Sequence, residues 1–157
     1  MRGLRAIPVQ MLALALMVGS FITSACQADP EVTILTSNGG DVSFQVEVAD
    51  TPAKRELGLM YRRDLPSDRG MIFLFPMETE QAFWMKNTPI PLDMIFISSS
   101  RRIVGIVQRA APFTLDARSV PGSSQYVLEI NGGLSDRYGF KPGDRVQFKN
   151  IPADVRE

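Results

Sequence analysis

The sequence of 157 residues predicts a mainly β domain, a compact antiparallel sandwich or barrel with two short helices. Three observations predict this class. Apolar and polar residues alternate with period two over residues 42–48, as in a strand with one buried face. About eight short strand-like segments follow one another, separated by turns. Long helical segments do not alternate with them, which argues against a doubly wound parallel sheet.

The first half of the predicted domain contains a hairpin and a helix. The hairpin joins residues 32–35 to residues 42–48 around an Asn-Gly-Gly turn. A helix near residues 52–61 begins with Thr51 as its N-cap and Pro52 at its first position, where the missing N–H of proline costs nothing.

The second half is predicted from apolar runs between turns. Residues 70–75 are apolar on both faces and predict a central strand. A second helix is predicted near residues 133–138, ended by Gly139. Further strands are predicted at residues 82–86, 91–97, 102–108, 126–130 and 146–148. We expect these strands to bury Met71, Phe73, Phe75, Phe83, Met94, Phe96, Leu128 and Ile130.

The composition excludes several classes of function. The chain has no histidine, which excludes Ser-His-Asp and Cys-His catalysis and histidine-ligated metals. Its single cysteine is Cys26, so a domain that follows it has neither a disulfide nor a thiolate nucleophile. The 17 Lys and Arg residues balance 17 Asp and Glu residues, and no basic cluster predicts nucleic-acid binding. Methionine sulfur can bind Cu(I), but methionines in apolar strands usually fill the core. We therefore expect no metal and no cofactor.

The N-terminus resembles an export signal. Arg2 and Arg5 precede an apolar run at residues 11–22, whose 12 residues are too few to span a bilayer. The run ends at residues 23–26 in Thr-Ser-Ala-Cys, which resembles a bacterial lipobox. Cys26 would then become the lipidated first residue of the mature chain.

These features predict the organisation and the location of the chain. The predicted segments are a signal peptide of the lipoprotein type at 1–26, a tether at 27–31, a single β domain at 32–150 and a tail at 151–157. The membrane is therefore a predicted partner through Cys26, at the periplasmic face of the cell envelope. Gln27, in place of an aspartate, favours the outer membrane. Ordinary cleavage after Ala25 or Ala28 and an uncleaved anchor are the alternatives.

Several charged residues interrupt apolar strands and are candidates for a site. A charge in such a strand must face solvent or be paired, because an unpaired buried charge is very costly. One interpretation places these residues in one pocket that binds a small polar ligand beside an aromatic side chain. The other is a structural ion pair or a set of solvent-facing positions. The candidate ligand-binding residues are Trp84, Lys86, Asn87, Asp93, Glu129 and Arg62.

Four motifs resemble a single prokaryotic family. They are Arg-Glu-Leu-Gly-Leu-Met-Tyr-Arg at 55–62, Phe-Trp-Met-Lys-Asn-Thr at 83–88, Pro-Leu-Asp-Met-Ile-Phe-Ile at 91–97 and Tyr-Val-Leu-Glu-Ile-Asn-Gly-Gly at 126–133. Together they resemble the family catalogued as domain of unknown function 192. The resemblance implies a small exported or lipid-anchored protein with a jelly-roll-like β architecture. It brings no established reaction, cofactor or catalytic residue.

Two classes of function fit these observations. The first is a non-enzymatic envelope module that binds a small polar ligand, a glycan or another protein, which requires no reactive residue. The second is a hydrolase of envelope glycans in which Asp93 and Glu129 act as acid and base or nucleophile. Such a pair needs its carboxyl groups about 5–10 Å apart across an open cleft.

Overall fold

The computed structural model describes residues 28–153, and in this range the chain forms seven strands and two short helices. In chain order the elements are β1 (Glu31–Leu35), β2 (Asp41–Ala49), α1 (Pro52–Leu57), β3 (Arg69–Thr79), β4 (Leu92–Ile97), β5 (Ile103–Ala110), β6 (Ser124–Asn131), α2 (Leu134–Tyr138) and β7 (Arg145–Lys149). The predicted mainly β class with two short helices is confirmed. Neither helix in this range has the length and apolar character needed to cross a bilayer.

The seven strands form a single curled sheet in the order β5-β4-β6-β3-β2-β1-β7. Neighbouring strands are antiparallel except β2 and β3, which run parallel. The two edges of the sheet meet at one end, where Arg102 pairs with Arg145. There the N–H of Ile103 donates to the carbonyl of Asp144 at 3.0 Å. The sheet is therefore a barrel that is closed only along part of its length.

Side chains on the two faces of the sheet form two separate cores. The inner core receives residues from all seven strands, among them Ile34, Ile72 and Ile95. The outer core lies on the five strands β2 to β6 and is covered by non-strand residues such as Leu59 and Met85. Residues 28–153 thus contain the hydrogen-bonded sheet and both cores, which is what a domain needs to fold alone.

Two local predictions differ from the structure. The strand predicted at residues 82–86 is wrong: it makes one isolated bridge, between Phe83 and Arg118, and its amides bond to a neighbouring loop. Helix α1 ends at Leu57 rather than near residue 61. It stops because Gly58 adopts a left-handed φ of 47° and donates its N–H to the carbonyl of Lys54.

The predicted core is confirmed except at two aromatic residues. Six of the eight expected side chains are buried, but Phe75 and Phe83 are only partly buried. Both lie on the outer face, where the covering layer leaves a cavity. Their partial exposure therefore marks the site described next.

Candidate functional site

A cavity of about 360 Å³ opens on the outer face of the sheet. Helix α1 and residues 58–60 form one wall, while residues 82–84 and the loop at 115–117 form the other. Phe73 and Phe75 of β3 and Glu129 of β6 line its sheet side. The cavity thus lies between the sheet and the segments that cover its outer core, and we call it the Glu129 pocket.

Glu129 is the unusual residue of this pocket. It is only 4% exposed, and in β6 it lies opposite Met71 of β3 and Met94 of β4. Within residues 28–153 its carboxyl group has neither a hydrogen bond nor an ion pair. Burial raises the pKa of Glu129 to about 8, so the group is mostly protonated at neutral pH. Nearly all polar groups this far from bulk water have a protein partner, so a carboxyl group whose surroundings in the described chain offer none is unusual.

Aromatic rings form the walls around this carboxyl group. The rings of Phe73 and Phe83 meet edge to face with centroids 5.0 Å apart, and Phe75 packs on Phe83 in the same manner at 6.2 Å. Trp84 lies at the rim and is 48% exposed. The pocket therefore combines aromatic walls with two buried polar residues, Glu129 and Thr88, and such a combination is typical of small-molecule sites.

Two cations lie over the aromatic faces of this region. The guanidinium carbon of Arg55 is 5.6 Å from the centroid of Phe75, and Arg55 also donates to the carbonyl of Leu74 at 3.0 Å. The ammonium of Lys86 is 5.2 Å from the Trp84 ring, on the exposed side of its loop. Both contacts have the geometry of cation–π interactions.

Asp93 lies elsewhere and has a different role. Its side chain is fully buried and accepts three backbone N–H bonds: Oδ1 from Arg109 at 2.7 Å and from Gly133 at 2.8 Å, and Oδ2 from Ser135 at 2.8 Å. Gly133 and Ser135 lie at the start of α2, so Asp93 fastens this helix to β4 and β5. The carboxylate thus supplies the acceptor that the N-terminus of a helix requires.

The structure does not bring Asp93 and Trp84 into one concave site. Successive side chains of a strand point to opposite faces, and Asp93 lies opposite Ile130 whereas Met94 lies opposite Glu129. Asp93 therefore points inward with Ile95, and Glu129 points outward into the pocket. The two carboxyl groups also cannot flank one scissile bond, so the expectation that they act as a catalytic pair is corrected.

Asn87 and Arg62 make structural contacts beside the pocket. Asn87 has a left-handed φ of 53°; its Nδ2 donates to the hydroxyl of Tyr61 at 2.8 Å, and its carbonyl accepts from the Tyr61 N–H at 2.7 Å. This pairing fastens the turn after α1 to the loop that carries Trp84. Arg62 forms a two-pronged ion pair with Glu47, with Nη2 and Oε2 2.6 Å apart, and this contact lowers the pKa of Glu47. Neither residue lines the Glu129 pocket.

Of the six candidate residues, the structure brings Trp84 and Glu129 together in the pocket and leaves Lys86 beside its rim. Sequence reasoning missed the contribution of the helix end. A Cβ at Gly58 would lie 3.2 Å from Cζ of Phe73, so glycine allows the turn to approach the sheet. A glycine directly after a helical segment is a recognisable signal for such a turn. In the described range, no group of three or more acidic residues is arranged to hold a metal ion.

Comparison with known proteins places the chain in a family. The DUF192 family model, described as "Uncharacterized ACR", matches residues 33–148. The chain belongs to this family. A curated relative, the UPF0127 protein PF1050 of Pyrococcus furiosus, is 26% identical over 121 residues, which cover 73% of this chain and 96% of the relative.

Two solved structures resemble the DUF192 domain. A protein of unknown function from Novosphingobium aromaticivorans is 43% identical with a TM-score of 0.72, covering 74% of this chain and 83% of that one. A Sinorhizobium meliloti protein, provisionally described as a transcription regulator, is 39% identical with a TM-score of 0.75, covering 80% and 97%. Both have the same fold as the chain described above.

Proposed function

We propose that this DUF192 domain is a non-enzymatic module that binds a small molecule in the Glu129 pocket. The observation that carries the proposal is a buried carboxyl group without a partner, at the base of an aromatic cavity of about 360 Å³. A ligand that hydrogen bonds to Glu129 would give this carboxyl group a partner that the described chain does not supply. The rings around it would cover the apolar part of the ligand.

The proposal extends to the location of the domain. We propose that the chain is exported and held at the periplasmic face by a lipid on Cys26, a residue that lies outside the described range. Asp29 and Pro30 line a second cavity together with Leu57 and Gly58, two residues that also line the Glu129 pocket. Cys26 precedes Asp29 by three residues, which an extended chain covers in about 10 Å. A lipid there would hold the pocket close to the membrane.

The description of the Sinorhizobium meliloti relative as a transcription regulator suggests nucleic-acid binding as an alternative. The charge of the chain favours small-molecule binding over this alternative. Without Arg2 and Arg5, 15 of the 17 basic residues remain beside 17 acidic ones. Binding to a phosphate backbone takes a basic surface. An exported domain would also not meet DNA in the cytoplasm.

A fragment screen on a chain that begins at residue 27 tests the binding function. Trp84 is the only tryptophan of the sequence and lies at the rim, so its fluorescence reports occupation of the pocket. Ala82→Phe narrows the pocket that Ala82 lines, and Ala53→Phe adds the same side chain to an exposed position outside it. We expect ligands to bind the unmodified domain and Ala53→Phe, and to bind Ala82→Phe at least about tenfold more weakly. Failure of every fragment to bind, or equal binding by both variants, contradicts the proposal.

The intact mass of the protein from the membrane fraction tests the location. We expect a mature chain that begins at a lipid-modified Cys26. A Cys26→Ser variant should be released from the membrane or retain an unprocessed N-terminus. An unmodified, soluble mature chain in the unaltered strain contradicts the anchor and leaves the pocket proposal intact.

A further inference from the structure

We propose that the Glu129 pocket is selective for an organic cation, a primary amine or quaternary ammonium on an apolar ring or chain, with Glu129 as its counter-ion. The inference rests on the proposed binding function and names the class of its ligand. It is carried by the position of one carboxyl group, by the rings around it and by the other charges of the pocket.

The carboxyl group determines which polar group a ligand should offer. No donor of the described chain reaches Glu129, although it is 4% exposed and lines the pocket. A primary ammonium would give it a charge-assisted hydrogen bond, which is about twice as strong as a neutral one, and a quaternary ammonium, which has no N–H, would pair with the carboxylate through its charge. A hydroxyl offers only the weaker bond, and a carboxylate would add a negative charge to a lining that already contains Glu56 and Glu129. Among these three groups, the cation matches the site best.

The aromatic lining favours the same choice. Phe73, Phe75, Phe83 and Trp84 surround the cavity, and the faces of such rings attract positive charge. Phe75 and Trp84 already carry the cations of Arg55 and Lys86 on their rings. A ligand cation inside the pocket would use the same kind of contact with Phe83, which is only partly buried. Aromatic side chains beside a carboxylate are a common arrangement for recognising alkylated ammonium groups.

The other charged residues of the pocket lining have opposite signs. Arg55 and Glu56 are its other charged lining residues, and both belong to α1. Arg55 is engaged by the Leu74 carbonyl and the Phe75 ring. Once Glu129 is ionised, the lining carries two negative charges against one positive charge. A cavity of about 360 Å³ has room for a ring with a short aminoalkyl group.

Binding of a cation should release a proton. Burial raises the pKa of Glu129 to about 8, so the empty pocket holds a protonated carboxyl group at neutral pH. An aliphatic amine is already protonated there, so the bound pair is a carboxylate and an ammonium, and the Glu129 proton passes to solvent. The affinity should therefore rise about tenfold per pH unit below pH 8 and level off above it, until the amine itself loses its proton.

Three molecules of one shape test the charge requirement: benzylamine, benzyl alcohol and benzoate. Each is titrated into the domain while Trp84 fluorescence is recorded, and calorimetry in two buffers at neutral pH counts the protons released. We expect benzylamine to bind at least about tenfold more tightly than the other two and to release about one proton. In the Glu129→Gln variant, the affinity for benzylamine should fall to the affinity for benzyl alcohol. Glu80→Gln, the same change at an exposed residue outside the pocket, should have no effect.

The outcomes separate this inference from the function on which it rests. If benzyl alcohol or benzoate binds as tightly as benzylamine, or if benzylamine binds Glu129→Gln unchanged, the cation assignment is overturned and the binding function stands. The same holds if only unrelated fragments from the screen bind. If no molecule binds, both proposals fail. Thermal unfolding of Glu129→Gln at neutral pH verifies that the variant is folded.

Discussion

Asp93 and Glu129 are two buried carboxyl groups on neighbouring strands with opposite surroundings. Asp93 is 0% exposed and accepts three backbone N–H bonds, whereas Glu129 is 4% exposed and accepts none from the described chain. The first group faces the inner core at the start of α2, and the second faces a cavity on the outer face. Burial alone therefore does not mark a functional carboxyl group. The supply of hydrogen bonds distinguishes the structural residue from the candidate ligand-binding one.

The largest expected effect is that of removing the Asp93 charge. Asp93→Asn replaces one acceptor oxygen by an NH₂ group, so at least one of the amides of Arg109, Gly133 and Ser135 loses its partner. We expect the free energy of unfolding to fall by about 3–5 kcal/mol, because buried donors are left unsatisfied and charge-assisted bonds are lost. Urea unfolding measures the loss. A loss below about 1 kcal/mol would mean that these three bonds contribute little.

The stability of the domain should depend on pH through Glu129, and it should decrease as pH rises. The pKa of Glu129 is raised from 4.5 to about 8 in the folded state, so the folded chain holds a proton that the unfolded chain releases between these values. Stability should therefore decrease by about 3 kcal/mol or more as pH rises from about 5 to 8, and then level off. The chain has no histidine, so no other side chain with an ordinary pKa titrates near pH 7.

Urea midpoints at several pH values measure this slope in the unmodified domain and in two variants. Glu129→Gln should flatten it, since the amide does not titrate, and Glu80→Gln should retain it. A flat profile in the unmodified domain, or the same slope in Glu129→Gln, contradicts the assignment of the proton to Glu129.

A smaller effect is expected from the residue that fastens the pocket wall. Asn87→Ala removes the hydrogen bond to Tyr61 and places alanine at a left-handed φ, at a cost of about 1–2 kcal/mol. Asn87→Gly removes only the hydrogen bond, because glycine adopts this φ without strain. We therefore expect the glycine variant to be the more stable of the two in thermal unfolding. Equal losses would show that the strain of alanine at this φ is no larger than the effect of the conformational freedom that glycine adds to the unfolded chain.

The smallest effect is expected at Arg62. Its ion pair with Glu47 is on the surface, where such pairs contribute about 0–1 kcal/mol. Arg62→Gln should leave unfolding at neutral pH nearly unchanged and should not alter benzylamine binding. Since the pKa of Glu47 is lowered from 4.5, the small stabilisation it provides should be lost as pH falls below that ordinary value. A tenfold loss of binding would instead place Arg62 in the site, as the sequence suggested.

The sequence predicts the fold well because the signals for its elements are local. Alternation at 42–48, the Thr51-Pro52 start and Gly139 each act within a few residues, and the corresponding elements form. The segment at 82–86 has the composition of a strand, but its amides bond to the loop at 114–118. A segment becomes a strand only where another strand pairs with it in register. Such a partner is usually distant in the sequence, so the residues of the segment do not indicate whether it is present.

The site is predicted only in part for a related reason. Alternation indicates that Asp93 and Glu129 interrupt apolar strands, but the register between β4 and β6 decides that they point to opposite faces. A strand does not encode which of its faces will be inside the barrel. Phe75 and Phe83 have the composition of core residues, and only the placement of α1 leaves a cavity beside them. Residue types thus indicate that Glu129 is a candidate site residue, but they do not show which side chains surround it.

The titration of the Glu129 carboxyl group tests the central claim most directly. Carbon-13 NMR of glutamate side-chain carboxyls, followed with pH and assigned by the signal missing in Glu129→Gln, reports this group alone. We expect its midpoint to lie near 8 in the empty domain, as burial without a partner requires, and to move downward when benzylamine is added. A midpoint near the ordinary value of 4.5, unchanged by the amine, would show that Glu129 is neither desolvated nor available as a counter-ion.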